Sequence, residues 1–307
     1  MYMNGISIII CCYNSASRLE QTIQHIALQK QVSFSFEVVL VDNNSTDKTS
    51  SVAQELFSKY NIGKYQIISE PKQGILHARK CGALKANHDL LLFCDDDNWL
   101  EENYLINVVN GFETYPDAGI LGSWSEPVFN ENQIIPEWFC NIKECFAIIE
   151  KPPFDRERYF VVTAGMAIRK KVTEVIFNEV FEFVGRKGTL LLSGEDNEIC
   201  EKTIKLGYKV YQLKNLKFTH YLPPNRLTWN YVVRLYIGFG HGDMQRSLLT
   251  YNKSFVRLYA GYSLLNFKKI LKFPLPFLFF LINKKGAISA LPFYRIRGCY
   301  KYLHSKK

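Results

Sequence analysis

The sequence lacks several features that would place it in a structural class at once. Its eight cysteines form no C-x-x-C pair and no zinc-like spacing, so we expect neither a disulfide framework nor a structural zinc site. No run reaches the ~20 apolar residues of a membrane-spanning helix. The apolar residues 6–10 are few and polar residues follow directly, so we expect no signal peptide. The unpaired cysteines favour a reducing, cytoplasmic compartment.

The composition is that of a globular protein with surplus positive charge. The 307 residues are 47% hydrophobic, which excludes a disordered chain, and the length suggests one or two domains. Lys and Arg number 38 against 29 Asp and Glu, a net charge of +9. This surplus favours anionic partners, namely nucleotides, nucleic acid or anionic lipid surfaces, without choosing among them.

Apolar runs alternate with helical stretches in the first 115 residues. We predict strands over residues 6–12, 37–41, 65–69 and 90–94, each followed by a helix. This alternation indicates βαβ units in a mostly parallel sheet, and right-handed crossovers bring the strand ends to one edge. Further predicted elements are strands over 119–124, 160–169, 209–212 and 217–221, a helix from about 195 to 206, and basic, aromatic helix from 227 onward.

Three adjacent carboxylates, Asp95, Asp96 and Asp97, follow the apolar residues 90–94. Because burying an unpaired charge is costly, we expect them at the carboxyl end of the strand, where open α/β sheets bind ligands. Mg²⁺ and Mn²⁺ prefer carboxylate oxygens, and Mg²⁺ commonly takes one or two carboxylates plus substrate phosphates. The alternative is a solvated acidic turn before the helix that starts near Glu101.

Five motifs, in order, resemble the glycosyltransferases of family 2, which have the GT-A fold. They are Cys12-Tyr13-Asn14, the run from Val39 to Asp47, the run from Gln73 to Arg79, the acidic triplet, and Gly194-Glu195-Asp196. The resemblance covers roughly residues 5 to 240. It implies an α/β, Rossmann-like mixed sheet, mostly parallel and flanked by helices, in a catalytic domain over 1–240. Residues 241–307 would form a C-terminal helical extension.

The resemblance also implies an inverting, metal-dependent sugar transfer from a nucleotide-sugar donor. Asp97 would hold Mn²⁺ or Mg²⁺, with Asp95 and with His220 of Phe218-Thr-His-Tyr as further ligands. Asp96 would lie nearer the donor ribose, although the triplet leaves the division of roles open. A lone histidine is also often structural.

Further donor contacts are implied for Asp42, Tyr13, Asn14 and Arg79. Asp42 would accept a hydrogen bond from a uracil-like ring nitrogen, and Tyr13 is placed to stack on that ring. The alternative for Asp42 is an Asx-turn or helix cap, and for Arg79 an ordinary surface arginine.

Asp196 is implied as the base that deprotonates the acceptor, and Glu195 as an orienting group. The alternative is that both acids only favour the positive end of a helix dipole. Gly165, in Thr163-Ala-Gly-Met-Ala, resembles a glycine beside the acceptor, where a side chain would crowd the sugar. Trp124 and Trp138 would stack on acceptor sugars or serve core and lid packing.

The C-terminal residues 268–285 place apolar residues between basic clusters, which fits a segment in the interface of an anionic membrane. The alternative is a helix pair packed on the core or an oligomer contact. We therefore predict a hexosyl- or N-acetylhexosaminyltransferase at the inner face of the plasma membrane. It would use a UDP-sugar and a glycan or lipid-linked acceptor in cell-surface polysaccharide synthesis.

Two other functions are considered. A nucleotidyltransferase acting on sugar phosphates usually has a Gly-rich loop after the first strand, but the turn from Tyr13 to Arg18 contains no glycine. A non-catalytic nucleotide- or nucleic-acid-binding module would fit the positive charge. No helix-turn-helix, zinc finger or RNA-binding signature supports it, so we expect no nucleic-acid partner.

Overall fold

The computed structural model describes residues 5–29, 34–188, 190–251 and 288–305. Its strands are β1 (Gly5–Cys12), β2 (Ser35–Asp42), β3 (Tyr65–Ser69), β4 (Leu90–Asp95), β5 (Asn98–Leu100), β6 (Ala118–Val128), β7 (Arg156–Arg158), β8 (Met166–Arg169) and β9 (Lys209–Tyr221). Its helices are α1 (Leu19–Ala27), α2 (Thr49–Lys59), α3 (Ile75–Lys85), α4 (Tyr104–Thr114), α5 (Lys170–Ile176), α6 (Glu195–Lys205), α7 (Trp229–Tyr251) and α8 (Leu291–Ser305).

The strands form one mixed sheet in the order β3-β2-β1-β4-β8-β6-β9-β5, and β7 pairs with β9. The first four strands of this order are parallel to one another. β8 is antiparallel to both neighbours, β4 and β6, and β9 runs parallel to β6. The parallel half therefore ends at a single edge, which the carboxyl ends of β1, β2 and β4 share.

The central strands are buried on both faces, as their near-continuous apolar sequences predict. Because successive side chains alternate between faces, Ile8 and Ile10 of β1 pack with α1, α2 and α4 on one side. Ile9 and Val39 pack with α3, α5 and α6 on the other side. The helices thus cover both faces of a rigid sheet, which fixes the loops at its edge.

The chain divides into two compact units. The sheet unit contains residues 1–129, 146–182 and 195–222, and the helical unit contains residues 130–145, 183–194 and 223–307. In the helical unit, α7 and α8 pack closely, since Gly240 and Gly298 lie against backbone carbonyls of the facing helix. The predicted division at residue 240 stays a prediction.

Several predicted elements differ from those observed. Of the strand predicted over 160–169, only Met166–Arg169 is a strand. The two strands predicted over 209–212 and 217–221 are one strand, β9. None of the described helices is long and apolar enough to cross a bilayer. The predicted membrane segment, 268–285, lies outside the described residues.

Candidate active site

The sheet brings the predicted donor residues together at the carboxyl edge of its parallel half. Strand pairing sets Cys12 opposite Asp42 and Cys11 opposite Asp95. Tyr13 follows β1 directly, and Asp96 and Asp97 follow β4. The predicted site residues lie in the sheet unit, except Trp138, which lies in the helical unit. This edge is therefore the candidate active site.

The loops after β1 and β2 are joined by Asn14. Its N–H donates to Ser45 Oγ at 3.0 Å, and its Oδ1 accepts the Thr46 N–H at 2.8 Å. Asn14 has a φ of 51°, a left-handed conformation that asparagine tolerates better than most residues. The Asn14 side chain thus holds the two loops together, and its predicted contact with the donor would be made in addition to these bonds.

Asp42 ends β2, and its carboxylate holds the turn that follows without forming an Asx-turn, since it bonds the N–H three residues on. Its Oδ1 accepts the Ser45 N–H at 3.0 Å, and its Oδ2 accepts the Ser50 hydroxyl at 2.5 Å. Each carboxylate oxygen has a second lone pair, so these bonds hold the group without using its full acceptor capacity. Turn formation and base recognition are therefore compatible at Asp42.

The three acids of the triplet lie in three different surroundings. Asp96 is buried, receives a hydrogen bond from Ser15 Oγ, and forms an ion pair of 2.6 Å with Arg18. The same guanidinium donates to the Asn14 carbonyl at 2.7 Å and the Tyr13 carbonyl at 3.2 Å. Arg18 therefore ties the triplet to the loop after β1.

Asp97 is buried beside His220. Pairing of β5 with β9 sets Asn98 opposite His220 and brings Asp97 Oδ1 to 3.4 Å from His220 Nε2. Among the described residues, no three His, Cys, Asp or Glu side chains cluster as a metal site. Asp97 and His220 would supply one carboxylate and one imidazole ligand, of which the carboxylate is the type that Mn²⁺ and Mg²⁺ prefer.

Arg79 is buried on α3 among three carboxylates. Its Nη1 lies 3.3 Å from Glu195 Oε1 and 3.3 Å from Asp196 Oδ1, and its Nη2 lies 3.9 Å from Asp95 Oδ1. Burial lowers the pKa of Arg79, but these carboxylates outweigh it and raise the pKa above its ordinary value. The surface-arginine alternative is wrong, because a permanently charged Arg79 gathers three acids from β4 and α6.

Asp196 lies in the first turn of α6, where the helix dipole favours a negative charge. Its Oδ1 accepts the Thr163 hydroxyl at 2.7 Å in addition to the Arg79 contact. About a quarter of its side chain (24%) is exposed, whereas neighbouring Glu195 is buried. Asp196 is thus held in place and reachable, as a base must be.

Of the predicted acceptor residues, Trp124 and Gly165 are packed inside the sheet unit, and Trp138 lies edge-on to Trp229 in the helical unit. Trp124 is buried, its indole N–H donates to the Lys214 carbonyl at 2.8 Å, and the ammonium groups of Lys151 and Lys217 lie over its ring. A Cβ at Gly165 would meet Tyr104 Oη at 2.7 Å and other protein atoms. The crowding expected at Gly165 thus comes from the protein itself, and the acceptor roles of all three residues stay predictions.

Comparison with known proteins identifies the family. The model of Glycosyl transferase family 2 matches residues 7–177, more than half of the chain. The chain belongs to this family. Membership favours the glycosyltransferase prediction over the nucleotidyltransferase and the non-catalytic binding module.

One curated relative and two solved structures describe this similarity. The relative is the "Dolichyl N-acetyl-alpha-D-glucosaminyl phosphate 3-beta-D-2,3-diacetamido-2,3-dideoxy-beta-D-glucuronosyltransferase" of Methanococcus voltae. It is 25% identical over 236 residues, which cover 71% of this chain and 67% of that protein.

The first structure is the mannosyltransferase PcManGT from Pyrobaculum calidifontis in complex with GDP-Man and Mn²⁺. It has a TM-score of 0.64 at 16% identity and covers 100% of this chain and 89% of that one. The second is TarS 1-349 of S. aureus in complex with UDP-GlcNAc. Its TM-score is 0.51 at 15% identity, with coverage of 78% and 70%. The predicted GT-A fold is confirmed.

Four residues at this candidate site have no role assigned from sequence: Ser15, Arg18, Asn43 and Thr163. Asn43 is buried after β2, and its side chain bonds the backbone of Glu70, Lys72 and Gly74, which holds the loop before α3. Each of the four residues has a hydrogen-bond partner that lies 27 or more positions away. Only a polar residue beside a strand end could have indicated them.

Proposed function

We propose that this glycosyltransferase transfers a hexosyl or N-acetylhexosaminyl group from a UDP-sugar to a glycan or lipid-linked acceptor, with inversion. The observation that carries the proposal is the arrangement of one sheet edge. Asp42 and Tyr13 lie at its donor-base end, Asp97 pairs with His220, and Asp196 is fixed at the start of α6.

A uracil base fits the first part of this edge. The Asp42 carboxylate keeps acceptor capacity for a ring N–H, and Tyr13, half-buried after β1, offers a ring for stacking. Asp96 would contact the ribose, and Asn14 would contact the donor from the adjoining loop. Because TarS holds UDP-GlcNAc and PcManGT holds GDP-Man, the fold alone leaves the nucleoside open, and Asp42 favours UDP.

A divalent cation fits the Asp97–His220 pair, with Asp95 as a further or water-mediated ligand. Mn²⁺ or Mg²⁺ bound there would act as a Lewis acid that offsets the charge on the departing diphosphate. Asp95 would remain oriented by Arg79, whose guanidinium lies 3.9 Å away.

Asp196 would move the proton in the transfer step. The acceptor hydroxyl gives its proton to the Asp196 carboxylate while its oxygen forms a bond to the anomeric carbon. The bond from that carbon to the diphosphate oxygen breaks, and the electron pair leaves with UDP. Buried Glu195 would hold Arg79 and orient the loop.

The acceptor and the location are inferred from one relative and from the C-terminal sequence. The Methanococcus voltae relative is named for a dolichyl-linked phosphate sugar, which supports a lipid-linked acceptor here. In the sequence of residues 268–285, apolar residues lie between basic clusters. Together with the lipid-linked acceptor, this pattern supports a peripheral enzyme at the cytoplasmic face of the plasma membrane in cell-surface polysaccharide synthesis. Trp124 and Gly165 would shape the acceptor side of the sheet unit.

Substitution of the proposed base tests the transfer step. Asp196→Asn should lower turnover of the UDP-sugar by about 10²–10⁴-fold, because the amide cannot accept the proton. The rise in melting temperature with UDP and Mn²⁺ should remain. Glu201→Gln, an exposed change on the same helix, is the control and should keep full turnover. Retained turnover in Asp196→Asn would remove Asp196 as the base.

A further inference from the structure

The carboxylate of Asp196 is held through one oxygen. Oδ1 accepts the Thr163 hydroxyl at 2.7 Å and lies 3.3 Å from Arg79 Nη1. Among the described residues, Oδ2 receives no hydrogen bond. We infer that Thr163 is a positioning residue for the transfer: its hydroxyl fixes the rotation of the Asp196 carboxylate and leaves Oδ2 to take the acceptor proton. This inference rests on the proposed role of Asp196.

Thr163 begins the turn that precedes β8. Within the turn, the Met166 N–H donates to the Thr163 carbonyl at 3.1 Å, and the Gly165 N–H donates to the Phe93 carbonyl of β4 at 3.0 Å. Two side chains hold the turn from outside: Tyr104 Oη donates to the Gly165 carbonyl at 2.5 Å, and Ser123 Oγ donates to the Ala164 carbonyl at 3.1 Å. Thr163 is itself buried. The turn is thus fixed to β4 two residues before Asp95, and its backbone presents the hydroxyl in one place.

Gly165 makes this turn possible. Its φ of 70° lies in the left-handed region, and a Cβ there would lie 2.8 Å from Ser123 Oγ and 3.0 Å from Phe218 Cδ1. A β-carbon would therefore strain the backbone and displace the groups that hold the turn. Gly165 therefore acts at the site through Thr163.

Arg79 alone would not fix the carboxylate. Its guanidinium is shared among Asp95, Glu195 and Asp196 at 3.3 to 3.9 Å, which is longer than a strong charge-assisted hydrogen bond. The Thr163 bond is short and directional, and an ionised carboxylate can only accept it. Arg79 supplies charge, and Thr163 supplies orientation.

Three variants of the full chain test this role. Thr163→Val removes the hydroxyl with little change of shape, and Thr163→Ser keeps it. Thr173→Val is the matched control, because Thr173 is equally buried and its hydroxyl donates to the Lys170 carbonyl at 2.7 Å. The measurements are UDP release from UDP-glucose, UDP-galactose and UDP-N-acetylglucosamine with Mn²⁺, and crystal structures of each variant.

We expect Thr163→Val to lower kcat about tenfold or more through misplacement of the base. The KM for the UDP-sugar and the melting-temperature rise with UDP and Mn²⁺ should stay unchanged. Thr163→Ser and Thr173→Val should match the wild type. In the crystal structure of Thr163→Val, the Asp196 carboxylate should have rotated.

Wild-type kcat in Thr163→Val would overturn the inference, as would an equal loss in Thr173→Val. If none of the donors is turned over, the crystal structures decide. A carboxylate within about 0.5 Å of its wild-type position in Thr163→Val contradicts the role. If Asp196→Asn is inactive while Thr163→Val is normal, only this inference fails; if Asp196→Asn stays active, the proposed base fails.

Discussion

At the scale of single residues, burial separates two ion pairs of equal length. Arg18 and Asp96 are 2.6 Å apart with side chains 23% and 8% exposed. Lys59 and Glu20 are also 2.6 Å apart, but 59% and 49% exposed. Removing one partner of a buried pair leaves an uncompensated charge, whereas exposed pairs are screened by water and contribute little.

Arg18→Met should therefore lower the free energy of unfolding by about 3 kcal/mol. Lys59→Met is the matched control and should change stability only slightly. Urea unfolding of both variants measures the difference. Equal losses in the two variants would show that Asp96 does not depend on Arg18.

The sequence predicts the acidic triplet but not the role of each acid. Asp95, Asp96 and Asp97 are chemically identical neighbours, and their differences come from Arg79, Arg18 and His220. These partners lie on α3, the β1–α1 loop and β9. Side-chain contacts of such separation depend on the tertiary fold, so no local pattern could assign them.

At the scale of elements, two glycines with left-handed backbone separate strain from crowding. Gly165 has a φ of 70° and is surrounded, so an added Cβ would meet Tyr104 Oη at 2.7 Å. Gly207 follows α6 with a φ of 86° and has no atom within 4 Å of an added Cβ. Only the first position adds steric overlap to the backbone cost.

Gly165→Ala should lower the free energy of unfolding by about 3–5 kcal/mol, from strain and overpacking together. Gly207→Ala should cost about 1–2 kcal/mol, from strain alone. Chemical denaturation of the two variants checks both values. Similar losses would mean that the turn around Gly165 adapts to a side chain, which the account of Thr163 does not allow.

Strands with long apolar runs are predicted well, and irregular ones are not. The predicted strand over 65–69 matches β3, and those over 6–12 and 90–94 differ from β1 and β4 by one residue at an end. The predicted strand over 160–169 is interrupted at Gly165, whose φ of 70° lies outside the β region, and the observed strand begins after it. The three-residue strands β5 and β7 are too short to carry a periodic signal.

At the scale of the whole molecule, stability against acid is expected to involve Glu37. Its buried carboxylate, on β2, accepts hydrogen bonds from Ser7 Oγ of β1 at 2.6 Å and from the Asn87 N–H at 2.7 Å. Burial raises the pKa of Glu37, but these hydrogen bonds outweigh it, and the pKa lies below its ordinary value of 4.5. At pH values near 4.5 and below, the unfolded chain therefore binds more protons at Glu37 than the folded chain does, until both are protonated.

The stabilisation by Glu37 is present above pH 4.5 and is lost as pH falls through the lower folded pKa. Glu37→Gln should be less stable than the wild type by about 1–3 kcal/mol at neutral pH, since hydrogen bonds to a charged group are lost. The gap should narrow in acid. Chemical denaturation of both proteins from neutral pH to below pH 4.5 measures the difference in stability. A difference that grows in acid would contradict a lowered pKa of Glu37.

The sequence motifs also predict the family and the edge of the sheet at which the candidate site lies. They do not predict the acceptor, because its recognition depends on pocket shape rather than on motifs. Trp124 illustrates this limit. Its aromatic ring suggests sugar stacking, yet its N–H is bonded to Lys214 and lysine ammonium groups lie over the ring.

The central claim, a nucleotide–metal site at Asp97, is tested most directly by melting temperature. The wild type, Asp97→Asn and the control Asp117→Asn, an exposed position before β6, would be measured with UDP, GDP, dTDP or CMP. Each nucleotide would be combined with Mn²⁺, Mg²⁺ or EDTA.

Binding at a hundredfold excess over Kd stabilises a fold by about 2.7 kcal/mol. We expect a metal-dependent rise in melting temperature with UDP that is lost in Asp97→Asn and kept in Asp117→Asn. No rise with any nucleotide and metal, or an equal rise in Asp97→Asn, would contradict it.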